Sequence, residues 1–345
     1  MARNEMKCEC FACNIPALDT LRLEVINGKS LNEFSVIPDK LKGLVELHCS
    51  ERENTIIVKD NTTIEKPLQI INLMDGSKTE TESNTTVVLG ENAQATLLYC
   101  DDSLPKGECS ANHKLNIRLK DSSCFAFYKL ENVNNNTSIN SNVIFSLEKE
   151  SKLSSFFISL NGGKLKNTIE VNFTKDYAEA DINGLYLMDR EQSIDNNVKI
   201  IHKTNNCKSN QLFKGILDDE AKANFVGHIL VDYDAKNNIA TQTNNNILLT
   251  DKAKVNTQPV LEIYNDDVQC SHGATTGQLD EMALYYLRSR GISERTAKML
   301  LLKAFCHSVL QKSNITELKE SFNNMVEKRL NGGLSFDLPF KIEKL

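Results

Sequence analysis

Residues 270–277 read C-S-H-G-A-T-T-G and set a thiol, Cys270, two positions before an imidazole, His272, with glycines at 273 and 277. A thiolate and a neutral imidazole both donate well to iron, and iron–sulfur clusters accept cysteine and, in some sites, histidine. Two such groups this close in sequence can reach one iron or one cluster edge. The same spacing also suits a structural thiol beside a hydrogen-bonding histidine, so spacing leaves both readings open. The eight residues carry no apolar periodicity, which predicts an exposed loop.

Other residues with reactive side chains are less grouped. Cys8, Cys10 and Cys13 form C-x-C-x2-C, but no second cluster follows at ligand spacing, so they read as unpaired thiols of a chain terminus. His48, His113, His202, His228 and His307 have no ligand partners nearby in sequence. Cys100, Cys124, Cys207 and Cys306 fall in or beside apolar runs, where a thiol acts as a small buried hydrophobe. The phosphate-cradling G-x-x-x-x-G-K-[ST], the nucleophile elbow G-x-S-x-G and the zinc motif H-E-x-x-H are all missing. The chain therefore reads as a non-enzyme that binds no nucleotide.

The 345 residues are 40% hydrophobic, enough for a sizeable core, and the net charge of -6 gives no basic footprint for nucleic acid or an anionic membrane. No apolar run has the length of a signal peptide core or a membrane span. These features predict a cytoplasmic chain whose ten cysteines stay reduced.

The elements that must hold Cys270 and His272 follow from the patterning. Short β-branched and aromatic runs at 55–58, 68–73, 85–89, 95–99, 115–119, 124–130 and 143–147 predict strands, continued at 153–160, 168–173, 182–187, 198–201, 224–231, 246–249 and 255–263. Acidic turn markers at Glu91, Asp121, Glu150 and Asp176 recur after 30, 29 and 26 residues, which suggests stacked coils. Two strands per coil describe a parallel β-helix, with a β-sandwich as the alternative. Asparagine clusters at 134–136, 196–197, 205–206, 237–238 and 244–246 suit left-handed corners or polar loops, both at the surface.

Three divisions result. Residues 1–50 make a short entry segment with apolar clusters around Leu21, Leu23, Val25 and Ile26 and around Leu41, Leu44, Val45 and Leu47. Residues 51–268 make the β-helix core, and residues 269–345 the 270–277 loop and a helical module. In that module Leu279, Met282, Ala283, Tyr286 and Leu287 recur at helical spacing, with Gly291 as the stop. Ser293 caps a second helix through Ala297, Leu300, Leu301, Ala304, Phe305 and Val309. A third runs from near Thr316 through Phe322, Val326 and Leu330. Their apolar faces must pack on each other, on the solenoid's end or on a partner.

The run L-E-I-Y-N-D-D-V-Q-C-S-H-G-A-T-T-G-Q-L-D at 261–280, followed by Y-L-R-S-R-G-I at 286–292, resembles SufD-like members of the SufB/SufD family of iron–sulfur cluster assembly scaffold proteins. The similarity is clearest over 227–302 and extends more loosely back to 55. It implies a right-handed parallel β-helix with a C-terminal α-helical module, acting as a scaffold subunit of the Suf complex. A SufC-type ABC ATPase would meet the C-terminal helices, and a SufB-like paralogue would meet the last coils and the Cys270 segment. A transient iron–sulfur cluster would form at that second contact, with His272, joined by Cys270, as the cluster- and metal-binding positions. Alone, the chain would pair with itself.

SufD-like chains usually open with a longer helical region than residues 1–50 allow, so a shortened homologue acting only as an interaction module is a second reading. A third is a secreted-type β-helix hydrolase or lyase acting on polysaccharide. That reading expects a secretion signal and aromatic sugar platforms, whereas tryptophan is absent and aromatics total 6%.

Overall fold

The computed structural model describes residues 20–30, 37–105, 107–312 and 316–331. Successive strands alternate between two facing sheets, one of ten strands (sheet A) and one of nine (sheet B). Neighbours are parallel, except that the short strands Lys29–Ser30 and Val45–Cys49 pair antiparallel with Arg22–Ile26 and Glu53–Val58 at the N-terminal end. The molecule is thus the expected parallel β-solenoid, of about eight turns. The strand Arg22–Ile26 also pairs parallel with Leu68–Met74, so these entry residues are part of sheet A.

Ser138 lies beside Lys164 and Lys222 beside Lys254, so one regular coil takes between 26 and 32 residues. The repeat behind the acidic markers is a stacked corner. Asn61, Asn92, Ser122, Glu150, Tyr177, Asn206 and Asn237 all adopt left-handed backbone, with φ between 54° and 66°. The N–H of each donates to a carbonyl of the next coil, from Glu91 to Asp267, at 2.7–3.2 Å. Asparagine tolerates this conformation best among the larger residues, and it fills four of the seven corners. Other asparagines contradict the expected surface placement. Asn196, Asn244 and Asn246 are buried inside strands, where their amides find partners: Asn167 Nδ2 donates to Asn196 at 3.2 Å and Asn246 Nδ2 to Asn244 at 2.7 Å.

The faces explain the burial patterns. Cys109–Leu119 in sheet B alternates buried and exposed along its whole length because the outer face of that sheet meets water. Glu179–Met188 in sheet A is buried almost throughout. Its outer face is covered by two of the three C-terminal helices, which are α1 (Glu281–Ser289), α2 (Glu294–Leu310) and α3 (Thr316–Asn331). Leu302 and Val309 of α2 and Val326 and Leu330 of α3 share one apolar cluster with Leu130 and Leu187 of the sheet. Tyr128 stacks on Phe156 and on Phe322 with ring centroids 4.9 and 5.8 Å away. Three polar ties add direction: Arg329 donates to the Leu160 carbonyl and pairs with Asp189 at 2.8 Å, Lys214 donates to the Phe305 carbonyl at 3.1 Å, and Lys312 meets Asp181 at 3.3 Å.

The expected caps are present. Ser293 Oγ accepts from the Thr296 N–H, Asp280 accepts from the N–H groups of Met282 and Ala283, and Gly291 stops α1 with φ of 83°. Of the three places foreseen for the apolar helix faces, α2 and α3 take none alone: they pack on each other and on the side of the solenoid. The face of α1 stays bare, with Met282, Tyr285 and Tyr286 more than half exposed and no buried residue.

Between the sheets lies a buried ionic group. Lys129 meets Asp101 at 2.9 Å and, more closely still, Glu131; Asn72 and His113 also approach Asp101, and Ser159 and Asn167 donate to Glu131. Burial pulls the Lys129 ammonium down, but the two carboxylates outweigh it and hold the group above the usual lysine range. Burial keeps the His113 imidazole below its ordinary value, so the neutral ring is favoured.

Two further expectations are corrected. Residues 270–277 are not a loop: Val268–Gly277 is the last strand of sheet A, paired parallel with Asn238–Leu248. Beyond Val268 and Cys270, which pack on the core, its residues are exposed, so it needs no apolar alternation. Lys208–Leu217, absent from the foreseen strands, is fully paired in sheet A, its pattern hidden by the inward polar residues Ser209 and Gln211. Cys8, Cys10 and Cys13 lie outside the described residues. No described helix is long and apolar enough to cross a membrane.

Candidate functional site

Cys270 and His272 sit on the final strand of sheet A, and the strand period decides where they point. Val268 and Cys270 pack against the core between the sheets, so the alternate residue His272 faces the same way. Its register neighbour confirms this: His272 pairs with Gln242, which is 1% exposed and inward. Cys270 is half-buried and His272 exposed. Two inward residues on one strand are separated by about 6.6 Å along the chain, a gap that one iron or one cluster edge can bridge.

Opposite them stands the last strand of sheet B, Lys254–Ile263, with Leu261 half-buried against the core and Ile263 39% exposed. Among the described residues no further strand pairs with either, so both edges of this end are unpaired there. In a parallel sheet the N–H and C=O of one residue point to the same neighbour, and the direction alternates along the strand. Lys254 and Tyr264 donate back to Ala221 and Val231, so the intervening odd residues of sheet B face the free edge. Ile239 donates back to Cys207, which places Cys270, His272, Ala274 and Thr276 on the free edge of sheet A. Pro259, paired with Gly227, interrupts the row of donors in sheet B, as proline does on edges.

The electrostatics fit a site that is incomplete by itself. Burial pushes the Cys270 thiol up, against a weaker pull from a backbone hydrogen bond to Ala240, so the free chain holds a thiol and metal binding would have to displace its proton. Among the described residues no group of three or more His, Cys, Asp or Glu side chains could hold a metal. A metal held by Cys270 and His272 would therefore need further ligands from outside the described residues.

The remaining histidines and thiols separate from this site. His113 belongs to the buried ionic group. His202 stacks on Phe173 at 4.5 Å, with Ser209 and Asn238 on its two nitrogens, and burial lowers it to about 4, against a small rise from Asn238. His228 pairs with Glu262 at 2.9 Å on the outer face of sheet B. Cys100, Cys207 and Cys306 are buried as expected, and burial raises Cys306 to about 12; Cys124 is exposed, because it is the first residue of its strand and points outward. Sequence reasoning missed Gln242, Thr257 and Pro259, which line the same end. Their only signal was register, which needs the strand pairing to be known.

Fold and site together define a parallel β-solenoid capped at its N-terminal end and open, with a thiol and an imidazole, at the other. The description "SUF system FeS cluster assembly, SufBD core domain" matches residues 72–305. The iron–sulfur cluster assembly protein SufD of Escherichia coli (strain K12) is 30% identical over 344 residues, covering 92% of this chain and 81% of that protein. SufD of Bacillus subtilis (strain 168) is 24% identical over 80% of this chain and 63% of its own length. A SufBD family protein of Mycobacterium leprae (strain TN) is 30% identical over 53% of this chain, which spans 49% of that relative. The chain belongs to the SufB/SufD family, as a SufD-like iron–sulfur cluster assembly protein.

Proposed function

We propose that the chain is a non-catalytic scaffold subunit that completes a cluster-building site by docking its open end onto a SufB-like paralogue. The observation that carries this reading is the end itself: two unpaired sheet edges with His272 and Cys270 between them. The nascent cluster is cargo. His272 offers a ring nitrogen to iron, Cys270 a thiol that becomes a ligand once deprotonated, and the partner supplies the remaining ligands. Alone, the chain would pair with a second copy through the same edges.

The bare face of α1 supports a second contact, with a SufC-type ABC ATPase. Met282, Tyr285 and Tyr286 offer apolar and aromatic area that no described residue buries. Deleting the whole helical module would also uncover sheet A, so the contact is better tested by Tyr285→Asp on α1.

The deciding experiment is His272→Gln in the purified complex, since Gln keeps bulk and hydrogen bonding but is a poor iron ligand. Complex formation and melting temperature are expected to stay near wild type while iron and acid-labile sulfide fall at least about tenfold, the size of loss seen when even supporting residues of metal sites are removed. Wild-type cluster content in a normally folded variant would remove His272 from the site. The same outcome would favour the reading of a plain interaction module.

A further inference from the structure

The inward column that ends at His272 runs back through Gln242, Gln211 and Ile182 in successive strands of sheet A. Two glutamines stacked in register inside a core are unusual, because a buried amide atom without a partner gives up its water and gains nothing in return. Gln211 is fully buried with neither amide atom bonded. Gln242 donates Nε2 to the Gly227 carbonyl at 3.1 Å, and its Oε1 has no partner. The amide has room only because residue 227 is glycine: a Cβ there would meet Gln242 Nε2 at 2.3 Å. With the nitrogen committed to Gly227, the oxygen is the atom left to offer.

The next group along the column is the His272 imidazole, which makes no hydrogen bond to another described residue. Side chains stacked on adjacent strands are about 4.8 Å apart, so Gln242 and His272 are neighbours on one face. We infer that Gln242 is the positioning residue for His272. Once the open end is covered and the ring loses its water, Gln242 Oε1 accepts from one ring N–H, which fixes the tautomer and leaves the other nitrogen's lone pair facing the cargo. The inference deepens the reading of His272 given above and rests on it.

The test uses the full chain in its purified complex with nitrogen-15-labelled histidine, whose ring shifts separate a single tautomer from an averaged mixture. Wild-type His272 is expected to show one tautomer; an averaged ring overturns the inference without any variant having to fold. Gln242→Met is nearly isosteric and lacks the acceptor. Its complex should form and keep its melting temperature, show the averaged ring, and hold about tenfold less iron and acid-labile sulfide. Full cluster content in a folded Gln242→Met complex, beside a depleted His272→Gln control, overturns the positioning role alone. Full content in His272→Gln overturns the underlying reading and the inference with it.

Discussion

The two ends of the solenoid solve the same problem in opposite ways. At the N-terminal end Lys29–Ser30 and Val45–Cys49 turn back antiparallel on the first strands, and Leu21, Leu23, Val25 and Val45 are buried beneath them. At the C-terminal end the edges run out parallel and unpaired, with Ile263 and His272 in water. An exposed edge is an aggregation hazard that proteins normally blunt. The same chain caps its first coil and leaves its last described coil bare, which is the edge that the proposed docking would use.

The capped end should therefore govern stability and the open end association, and four substitutions probe that division. The largest loss is expected between the ends. Lys129→Ala leaves Asp101 and Glu131 buried without their cation and should cost about 3–5 kcal/mol, read from the denaturant midpoint. A smaller value would mean that water reaches the interior.

At the capped end, Leu23→Ala empties a fully buried position and should cost about 3 kcal/mol while leaving partner affinity unchanged. Weakened association by this variant would break the comparison. Two coils in from the open end, His202 gives a pH signature. Its ring is neutral in the fold down to about 4, whereas an unfolded histidine takes a proton near 6.5, so stability present above that value drains away as pH falls through this window. The expected slope is up to about 1.4 kcal/mol per pH unit, and His202→Gln should flatten it.

The smallest effect should come from Ala274→Pro on the open edge. Its N–H faces away from the sheet, so no bond within the chain is lost and stability should hold within about 1 kcal/mol. Association with the SufB-like partner should weaken about tenfold, or about 1.4 kcal/mol, measured by titration of purified subunits. Unchanged affinity would place the interface elsewhere.

The fold was legible wherever one face of a strand meets water. Lys164–Phe173 and Lys222–Val231 alternate cleanly and were found, and the drift between turn markers follows the shortening of the coils between the corners Asn92, Ser122, Glu150 and Tyr177. Legibility failed where the interior is polar. Lys208–Leu217 turns Ser209 and Gln211 inward, and the first half of Asn238–Leu248 carries Asn238 and Gln242 inside, so neither shows the apolar period that marks a strand. At the site, Cys270 and His272 were visible as chemistry, but their segment read as a loop because an uncovered strand has no reason to be apolar. Gln242, some thirty residues earlier, could be tied to them only through the ladder.

The return of the helices over sheet A has a consequence for how the protein is made. Arg329 bonds Leu160 and Asp189 across separations of 169 and 140 residues, so the cover for the middle coils is synthesised well after the coils themselves. Until α2 and α3 leave the ribosome, Tyr128, Phe156, Leu185 and Leu187 form a bare apolar strip along coils that are otherwise complete. The nascent chain thus passes through a long interval in which its framework is built and its flank is adhesive. A holding factor has most to do in that interval, and a stop codon shortly before residue 294 should yield chains that aggregate instead of soluble solenoids.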